Sequence, residues 1–186
     1  MNFVTSLVDA APPGRRALLE LARDGSRREW SFGEVADHSA RLAGTLAARG
    51  VRKGDVVLTL IGNRPDWVFA MLACWRLGAV ALPGNEMLRA KDLRLRLETA
   101  TPKLVIADER NRAELEAARP EVDVLLVPDE SLYDAPPEPA AAVTPTDPAV
   151  VIFTSGTSGA PKAVVHGVRY LLGQHVQAEH WFGARE

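Results

Sequence analysis

Cysteine, long apolar runs and net charge are what the sequence has least of, and each shortage excludes a class of protein. Cys74 is the single cysteine among 186 residues, which rules out an intrachain disulfide and a metal site built from several cysteines. The most apolar stretch, residues 67–83, is interrupted by Arg76, and residues 1–7 contain no basic side chain. We therefore expect neither a membrane span nor a signal peptide, and we expect the protein to be cytoplasmic.

The charges of the chain nearly cancel. Its 22 basic and 24 acidic residues leave a net charge of −2, so no overall basic field favours nucleic acid or an acidic membrane surface. We expect small-molecule ligands, and an anionic ligand must be bound by a local group of residues. Lysine is scarce, with four residues against 18 arginines, so a lysine inside a ligand-binding pattern carries weight.

Length and composition are those of a globular domain. The 186 residues are 47% hydrophobic and 25% charged, values close to the averages for folded proteins, and a chain of this size can bury a core. Wholesale disorder, a collagen-like repeat and a coiled coil are therefore excluded as descriptions of the chain.

Helix and strand signals alternate along most of the first 127 residues. Ser31 and Glu34 have the spacing of a capping box, which predicts a helix from there through Arg49, with Gly50 as its left-handed stop residue. The other predicted elements are strands at 55–61, 79–82, 103–107 and 122–127, and helices at 15–23, 65–77, 91–100 and 113–119. The alternation predicts βαβ crossovers, and hence an α/β fold whose mainly parallel sheet is covered on both faces.

A proline-rich stretch interrupts this alternation. Residues 128–148 hold six of the 13 prolines and have no regular periodicity, which is typical of an extended connector. It divides the chain into an N-terminal α/β portion, residues 1–127, and a last part, residues 149–186. In that last part we expect two strands and a final helix, at 149–153, 163–166 and 168–182.

The segment after the first of these two strands is rich in residue types that suit phosphate. It reads Thr-Ser-Gly-Thr-Ser-Gly-Ala-Pro-Lys over residues 154–162. Glycines let successive backbone amides converge on an anion, hydroxyls donate further hydrogen bonds, and the lysine offers a compact charge. It is not a Walker P-loop, because Lys162 follows a proline and Ala163 stands where that motif needs a hydroxyl. From composition alone, a polar hairpin loop without a ligand remains the alternative.

Residues 153–162 resemble the phosphate-loop signature of the AMP-forming, adenylate-forming ligases, which include the acyl-CoA synthetases. Residues 30–34, 50–55 and 77–83 resemble N-terminal landmarks of the same enzymes, so the resemblance covers nearly the whole chain. Within the superfamily, residues 86–97 and 172–181 most resemble the medium-chain acyl-CoA synthetases. The resemblance implies that the chain is an incomplete N-terminal portion of the large domain of such a ligase.

The resemblance also implies a two-step reaction. A carboxylic acid, here a fatty acid, attacks the α-phosphate of Mg²⁺-bound ATP, pyrophosphate leaves, and the thiol of CoA captures the acyl-adenylate. ATP, Mg²⁺ and CoA are therefore the expected cofactors or co-substrates. The loop would hold the β- and γ-phosphates and stabilise the charge that builds up on the leaving pyrophosphate.

The resemblance implies that the residues of the loop bind the nucleotide. The implied nucleotide-binding residues are Thr154, Ser155, Gly156, Thr157, Ser158, Gly159, Ala160, Pro161 and Lys162. The hydroxyls of Ser155, Thr157 and Ser158 would donate to phosphate, and the two glycines would allow close approach of the backbone. Lys162 would be the mobile catalytic cation. One departure is Ala163, since most of the superfamily has glycine there, although the medium-chain branch tolerates a side chain.

No protein metal site is expected. His175 and His180 are five residues apart in a predicted helix, whereas zinc ligands on one helix face need a spacing of four. The enzymes that the chain resembles run to several hundred residues and carry their magnesium-binding glutamate and a second catalytic lysine downstream. We therefore expect the 186-residue chain alone to be inactive.

A second interpretation is a short non-catalytic relative that acts as a nucleotide-binding or interaction module. If the chain is instead a fragment, incomplete sheets would leave apolar faces uncovered, and self-association through them is expected.

Overall fold

The computed structural model describes residues 2–22, 24–155, 161–181 and 183. Its strands are β1 (Arg16–Leu21), β2 (Arg27–Ser31), β3 (Val56–Leu60), β4 (Val80–Pro83), β5 (Leu104–Asp108), β6 (Asp123–Val127), β7 (Pro148–Thr154) and β8 (Lys162–Gly167). Its α-helices are α1 (Phe32–Ala48), α2 (Pro65–Leu77), α3 (Ala90–Ala100), α4 (Arg112–Ala118) and α5 (Val168–His180). Short helical turns lie at Val4–Val8, Glu109–Asn111 and Glu130–Tyr133.

The main sheet has six strands in the order β6-β5-β3-β4-β7-β8. Strands β3 to β7 run parallel to their neighbours, and only β8 is antiparallel, to β7. Strands β1 and β2 form a separate antiparallel hairpin. The predicted α/β class with a mainly parallel sheet is therefore confirmed, and β7 and β8 belong to the same sheet as β3 to β6. The division of the chain at residues 128–148 stays a prediction.

Two apolar layers cover the two faces of this sheet. Side chains alternate along β3, so that Val57 faces α1 and α2, whereas Leu58 and Leu60 face α3 and α4. The first layer is centred on α1 and α2 and includes the fully buried Leu42 and Phe69. Because both faces are covered, the central strands are nearly continuous apolar runs, as expected for parallel strands.

The residues at the ends of the first two α-helices agree with the sequence. The Ser31 hydroxyl accepts from the Glu34 amide at 3.2 Å, and the Glu34 carboxylate accepts from the Ser31 amide at 2.7 Å, which completes the capping box of α1. Helix α2 begins at Pro65 and ends at Gly78, which has a left-handed φ of +69°. Such a φ is costly for any residue with a Cβ, so glycine suits this helix end.

The predicted helix at residues 15–23 is wrong, because β1 lies there. The alanine and leucines of this segment favour a helix locally, but β1 pairs with β2, and the Trp30 indole donates to the Glu20 carboxylate at 3.2 Å across the hairpin. The turn contains Gly25 at φ +85°. Asp24 followed by Gly25 is a hairpin signal, and it could have identified this turn from the sequence.

The proline-rich connector is packed against α1. The Thr45 hydroxyl donates to the Leu132 carbonyl at 2.7 Å, and the Glu138 amide donates to the Ala40 carbonyl at 2.9 Å. Gly44 permits this packing, because a Cβ at this position would overlap the Pro136 carbonyl oxygen. The connector therefore follows one path across the face of α1 before it reaches β7.

An ion pair holds the end of the connector near the start of β7. The Lys53 ammonium lies 2.7 Å from the Asp147 carboxylate, which also accepts from the Thr144 amide at 2.8 Å. Hydrogen bonds from Lys53 and from this amide lower the pKa of Asp147 from 3.8 to about 2. The same ammonium donates to the Ala142 carbonyl at 3.0 Å.

The Gly44→Ala variant should lose roughly 1 to 3 kcal/mol of unfolding free energy, because the added methyl group must displace the connector. Gly173→Ala is the matched control, since Gly173 also lies in a helix but has nothing within 4 Å of an added Cβ. Helix propensity predicts that this control gains up to about 1 kcal/mol. Urea denaturation measures the unfolding free energy of both variants. Equal stability of the two would contradict the close packing of the connector.

The Lys53–Asp147 pair should contribute to stability in a pH-dependent way. The pKa of Asp147 in the folded chain lies below its usual 3.8, so the stabilisation is complete above that value and is lost as the pH falls toward about 2. Asp147→Asn should therefore be less stable than wild type at pH 7, and the difference should shrink between about pH 4 and pH 2. Denaturation of wild type, Asp147→Asn, Lys53→Met and the double variant at several pH values tests this. If the stability difference between wild type and Asp147→Asn does not change with pH, the ion pair is not its source.

Candidate functional site

The carboxyl ends of the parallel strands bring five connecting segments to one edge of the sheet. Ligands of open parallel sheets bind at this edge, which makes it the first place to search for a site. The segment after β7 begins at Ser155, and those after β3, β4 and β5 begin near Ile61, Gly84 and Glu109. The edge therefore combines the predicted phosphate-binding segment with three crossover segments.

A chain of ion pairs fills the part of the edge above β3 and β5. Arg64 donates to the Asp66 carboxylate at 2.7 Å and to the Asp108 carboxylate at 3.2 Å. The Tyr133 hydroxyl donates to the second oxygen of Asp66 at 3.1 Å. Burial disfavours the charged guanidinium, but these two carboxylates outweigh burial and raise the pKa of Arg64. The network connects the segments after β3 and β5 to the helical turn at Glu130–Tyr133.

The network continues to the segment after β4. Arg110 lies 3.5 Å from the Asp108 carboxylate and forms a close ion pair with Glu86. The Asn111 amide donates to the Glu86 carbonyl at 2.6 Å. A Cβ on Gly62 would overlap both Glu86 and Arg110, so these side chains occupy the space beside β3. None of these network residues belongs to the segment that follows β7.

The β7–β8 hairpin carries the predicted phosphate loop. Thr154 and Lys162 pair directly across the hairpin at the base of the loop. Thr154, Ser155, Pro161 and Lys162 are all exposed, as groups that contact a ligand from solvent must be. The remaining predicted site residues, Gly156, Thr157, Ser158, Gly159 and Ala160, lie outside the described residues.

Arg96 lies against the strand that leads into this loop. Its guanidinium carbon is 4.8 Å from the centre of the Phe153 ring, in a cation–π contact. Arg96 lies in a predicted helix with several other arginines, and nothing in its sequence context separates it from them. Only the packing of α3 on β7 singles it out.

The described residues offer no metal site and no reactive thiol. Within the residues that the structure describes, no group of three or more His, Cys, Asp or Glu side chains could hold a metal ion. Cys74 is fully buried, and burial raises its thiol pKa to about 12, so it is not a nucleophile in the folded protein. None of the helices among the described residues is both long and apolar enough to span a membrane.

A concavity of about 590 Å³ lies at the opposite edge of the sheet, between the carboxyl-terminal ends of α3 and α4. Leu97, Thr101, Ala118 and Val122 are among its lining residues. It is far from the loops that follow the carboxyl ends of the strands, so we do not assign the site to it.

Removal of the central carboxylate of the network should destabilise the fold. Asp108 is 7% exposed and contacts both Arg64 and Arg110, so Asp108→Asn should lower the free energy of unfolding by about 1 to 3 kcal/mol. Asp37→Asn is the control, because Asp37 forms an exposed pair with Arg41 and such pairs contribute about 1 kcal/mol or less. Equal losses in urea denaturation would contradict the structural role of Asp108.

Comparisons with known proteins bear on this arrangement. The family model described as "AMP-binding enzyme" matches residues 7–186. The mitochondrial acyl-coenzyme A synthetase ACSM5 of Homo sapiens is 32% identical over 179 residues, which are 87% of this chain and 31% of the relative. The 2-succinylbenzoate–CoA ligase of Bacillus velezensis is 35% identical over 150 residues, which are 80% of this chain and 30% of the relative.

A solved structure agrees with the sequence relatives. The crystal structure of a Brucella canis acyl-CoA synthetase superposes with a TM-score of 0.87 at 28% identity, over 100% of this chain and 36% of that one. The chain spans about a third of the length of these relatives. The resemblance to AMP-forming acyl-CoA synthetases, including the medium-chain group, and the fold of the N-terminal part of such ligases are confirmed.

Proposed function

The chain belongs to the AMP-binding enzyme family, and we propose that it supplies the ATP-phosphate loop of an AMP-forming acid–CoA ligase. The proposed reaction joins a carboxylic acid to AMP with release of pyrophosphate, and then transfers the acyl group to the thiol of CoA. One observation carries the proposal: the β7–β8 hairpin holds Thr154 opposite the exposed Lys162 at the ligand-binding edge of a parallel sheet.

In this proposal the chain acts on ATP by electrostatics. Negative charge accumulates on the pyrophosphate as the bond to the α-phosphate breaks, and fixed donors near that charge lower the barrier. Lys162 would donate to the β- and γ-phosphates together with the hydroxyl of Ser155. Thr157 and Ser158 would add hydroxyl donors, and Gly156 and Gly159 would allow close approach of the backbone. Because Lys162 is the first residue of β8, its backbone position is fixed while its side chain can follow the moving phosphates.

No group of carboxylates or histidines among the described residues fits a metal ion, so we derive no step through a metal held by this chain. Mg²⁺ would arrive bound to the phosphates of ATP.

The substrate acid and the location of the protein rest on the resemblance and on the sequence. We propose a fatty acid, since the segments at 86–97 and 172–181 most resemble medium-chain enzymes. The relatives act by name on different acids, among them 2-succinylbenzoate. We propose a cytoplasmic protein, although several relatives are mitochondrial by name.

A nucleotide-binding or interaction module without catalytic activity is the second candidate. The chain spans about a third of the length of the relatives it matches. Exposed apolar side chains lie on β8 and α5, where Val165 is 60% exposed and Val176 is 58% exposed. Such a surface supports self-association of the chain.

Lys162→Ala should weaken binding of MgATP and of pyrophosphate to the chain by roughly ten- to a hundredfold, because it removes one charge-assisted hydrogen bond to phosphate. Isothermal titration calorimetry measures the affinities. Lys91→Ala is the control, since Lys91 is an exposed lysine on α3, and its affinity should equal that of wild type. An unchanged affinity of Lys162→Ala would remove Lys162 from the site.

Acid-dependent exchange of pyrophosphate into ATP tests whether the chain is catalytically complete by itself. The purified chain should bind MgATP without exchange activity, and exchange above background would show that it is catalytically complete. If wild-type chain binds neither MgATP nor pyrophosphate, the proposed phosphate loop is refuted.

A further inference from the structure

Arg96 is placed to act on the ligand of the phosphate loop. Its guanidinium lies over the ring of Phe153 at 4.8 Å, and Phe153 immediately precedes Thr154, the last residue of β7. A strand rises about 3.3 Å per residue, so the first loop residue, Ser155, lies roughly 7 Å further along. The guanidinium therefore lies within about two residues of the start of the loop.

The charge of Arg96 is not neutralised by an ion pair within the described part of the chain. Its one hydrogen bond there runs from Nη1 to the Asp92 carbonyl oxygen at 2.8 Å. Burial lowers its pKa, and Asp92 opposes this shift. Arginine stays charged at neutral pH in any case, and a guanidinium carries five N–H donors. Most of its hydrogen-bonding capacity is therefore not used by the described residues.

The hairpin places Arg96 and Lys162 on opposite faces. Phe153 packs with the layer covered by α3, whereas Ile152 packs with the layer that includes α5. Because faces alternate along a strand and directly paired residues share a face, Thr154 and Lys162 lie on the side of Ile152. The base of the loop is thus flanked by a lysine on one face and an arginine on the other.

We propose that Arg96 is a phosphate-binding residue of this site, which donates to a terminal phosphate of a nucleoside triphosphate from the face opposite Lys162. This inference rests on the proposed function and adds a residue to it. The ring of Phe153 orients the guanidinium without neutralising it, as a carboxylate would. Two cations on opposite faces would hold the β- and γ-phosphates between them, whereas AMP, which lacks these groups, would gain little from Arg96.

The test compares the binding of MgATP, pyrophosphate and AMP to wild type, Arg96→Met, Arg96→Lys and Arg94→Met by calorimetry at two salt concentrations. Arg94 is the matched control, an exposed arginine of the same helix whose guanidinium donates to the Ala117 carbonyl. Arg96→Met should weaken binding of MgATP and pyrophosphate by about tenfold or more, the scale of a lost charge-assisted contact. AMP binding should change less than about twofold, and Arg96→Lys should retain part of the affinity.

A structural role alone would give a different pattern. Loss of one ligand-binding cation makes affinity less sensitive to salt, so the salt dependence of MgATP binding should be shallower in Arg96→Met than in Arg94→Met. Thermal unfolding identifies variants with a damaged fold, and Arg96→Gln replaces Arg96→Met if the latter does not fold. Equal weakening of AMP and MgATP binding together with a lowered melting temperature would overturn the inference.

Failure of this inference can be told apart from failure of the proposed function. If Lys162→Ala loses affinity while Arg96→Met binds MgATP like Arg94→Met, the phosphate loop stands and the role of Arg96 is refuted. If wild type binds neither MgATP nor pyrophosphate, both proposals fall.

Discussion

The pairing of β7 with β4 is the interaction on which the site depends. Val150 lies beside Ala81 in parallel register, and this contact brings the proposed phosphate-binding segment to the same edge of the sheet as the crossover segments. Packing beneath the strand supports it, since the Trp75 indole donates to the Ala149 carbonyl at 3.1 Å and its ring meets Phe3 edge-on. Without this placement, the loop would be a polar hairpin apart from the sheet.

Close packing and polar contacts hold the connector that leads to β7. The connector crosses α1 where Gly44 lets it approach closely, and the Lys53–Asp147 pair anchors its end. Asn2 ties three backbone carbonyls together, those of Trp75, Arg76 and Ala141. Because ordering a long segment costs conformational entropy, such contacts are needed to keep a proline-rich stretch in one conformation.

The edge of the sheet is divided by electrostatics into a filled part and an open part. Above β3 and β5, arginines and carboxylates satisfy one another around Asp108, and Glu86 fills the space beside Gly62. Near β7, Arg96 and Lys162 lie at the two faces of the hairpin, and neither forms an ion pair with a residue that the structure describes. The cations of the second part would attract an anion, whereas those around Asp108 already pair with carboxylates, which is why we propose the site at the hairpin.

Local chemistry made much of the fold predictable. Helix ends depend on residues within one turn of the chain. The structure has the capping box at Ser31, the proline at the start of α2 and the glycines after α1 and α2 at the positions that the sequence indicates. The helix predicted at 15–23 was wrong, since β1 is decided by its pairing with β2. Strand pairing joins residues that are distant in sequence, and intrinsic preference does not report it.

The sequence by itself determined the α/β class and the family resemblance, because these depend on residue types at short spacing. Only the tertiary structure decided which strands are neighbours, which arginines are already paired, and that Arg96 lies beside Phe153. The reason is physical: an arginine in an exposed salt bridge and one over an aromatic ring have the same sequence signature. They differ only in what another part of the chain brings against them.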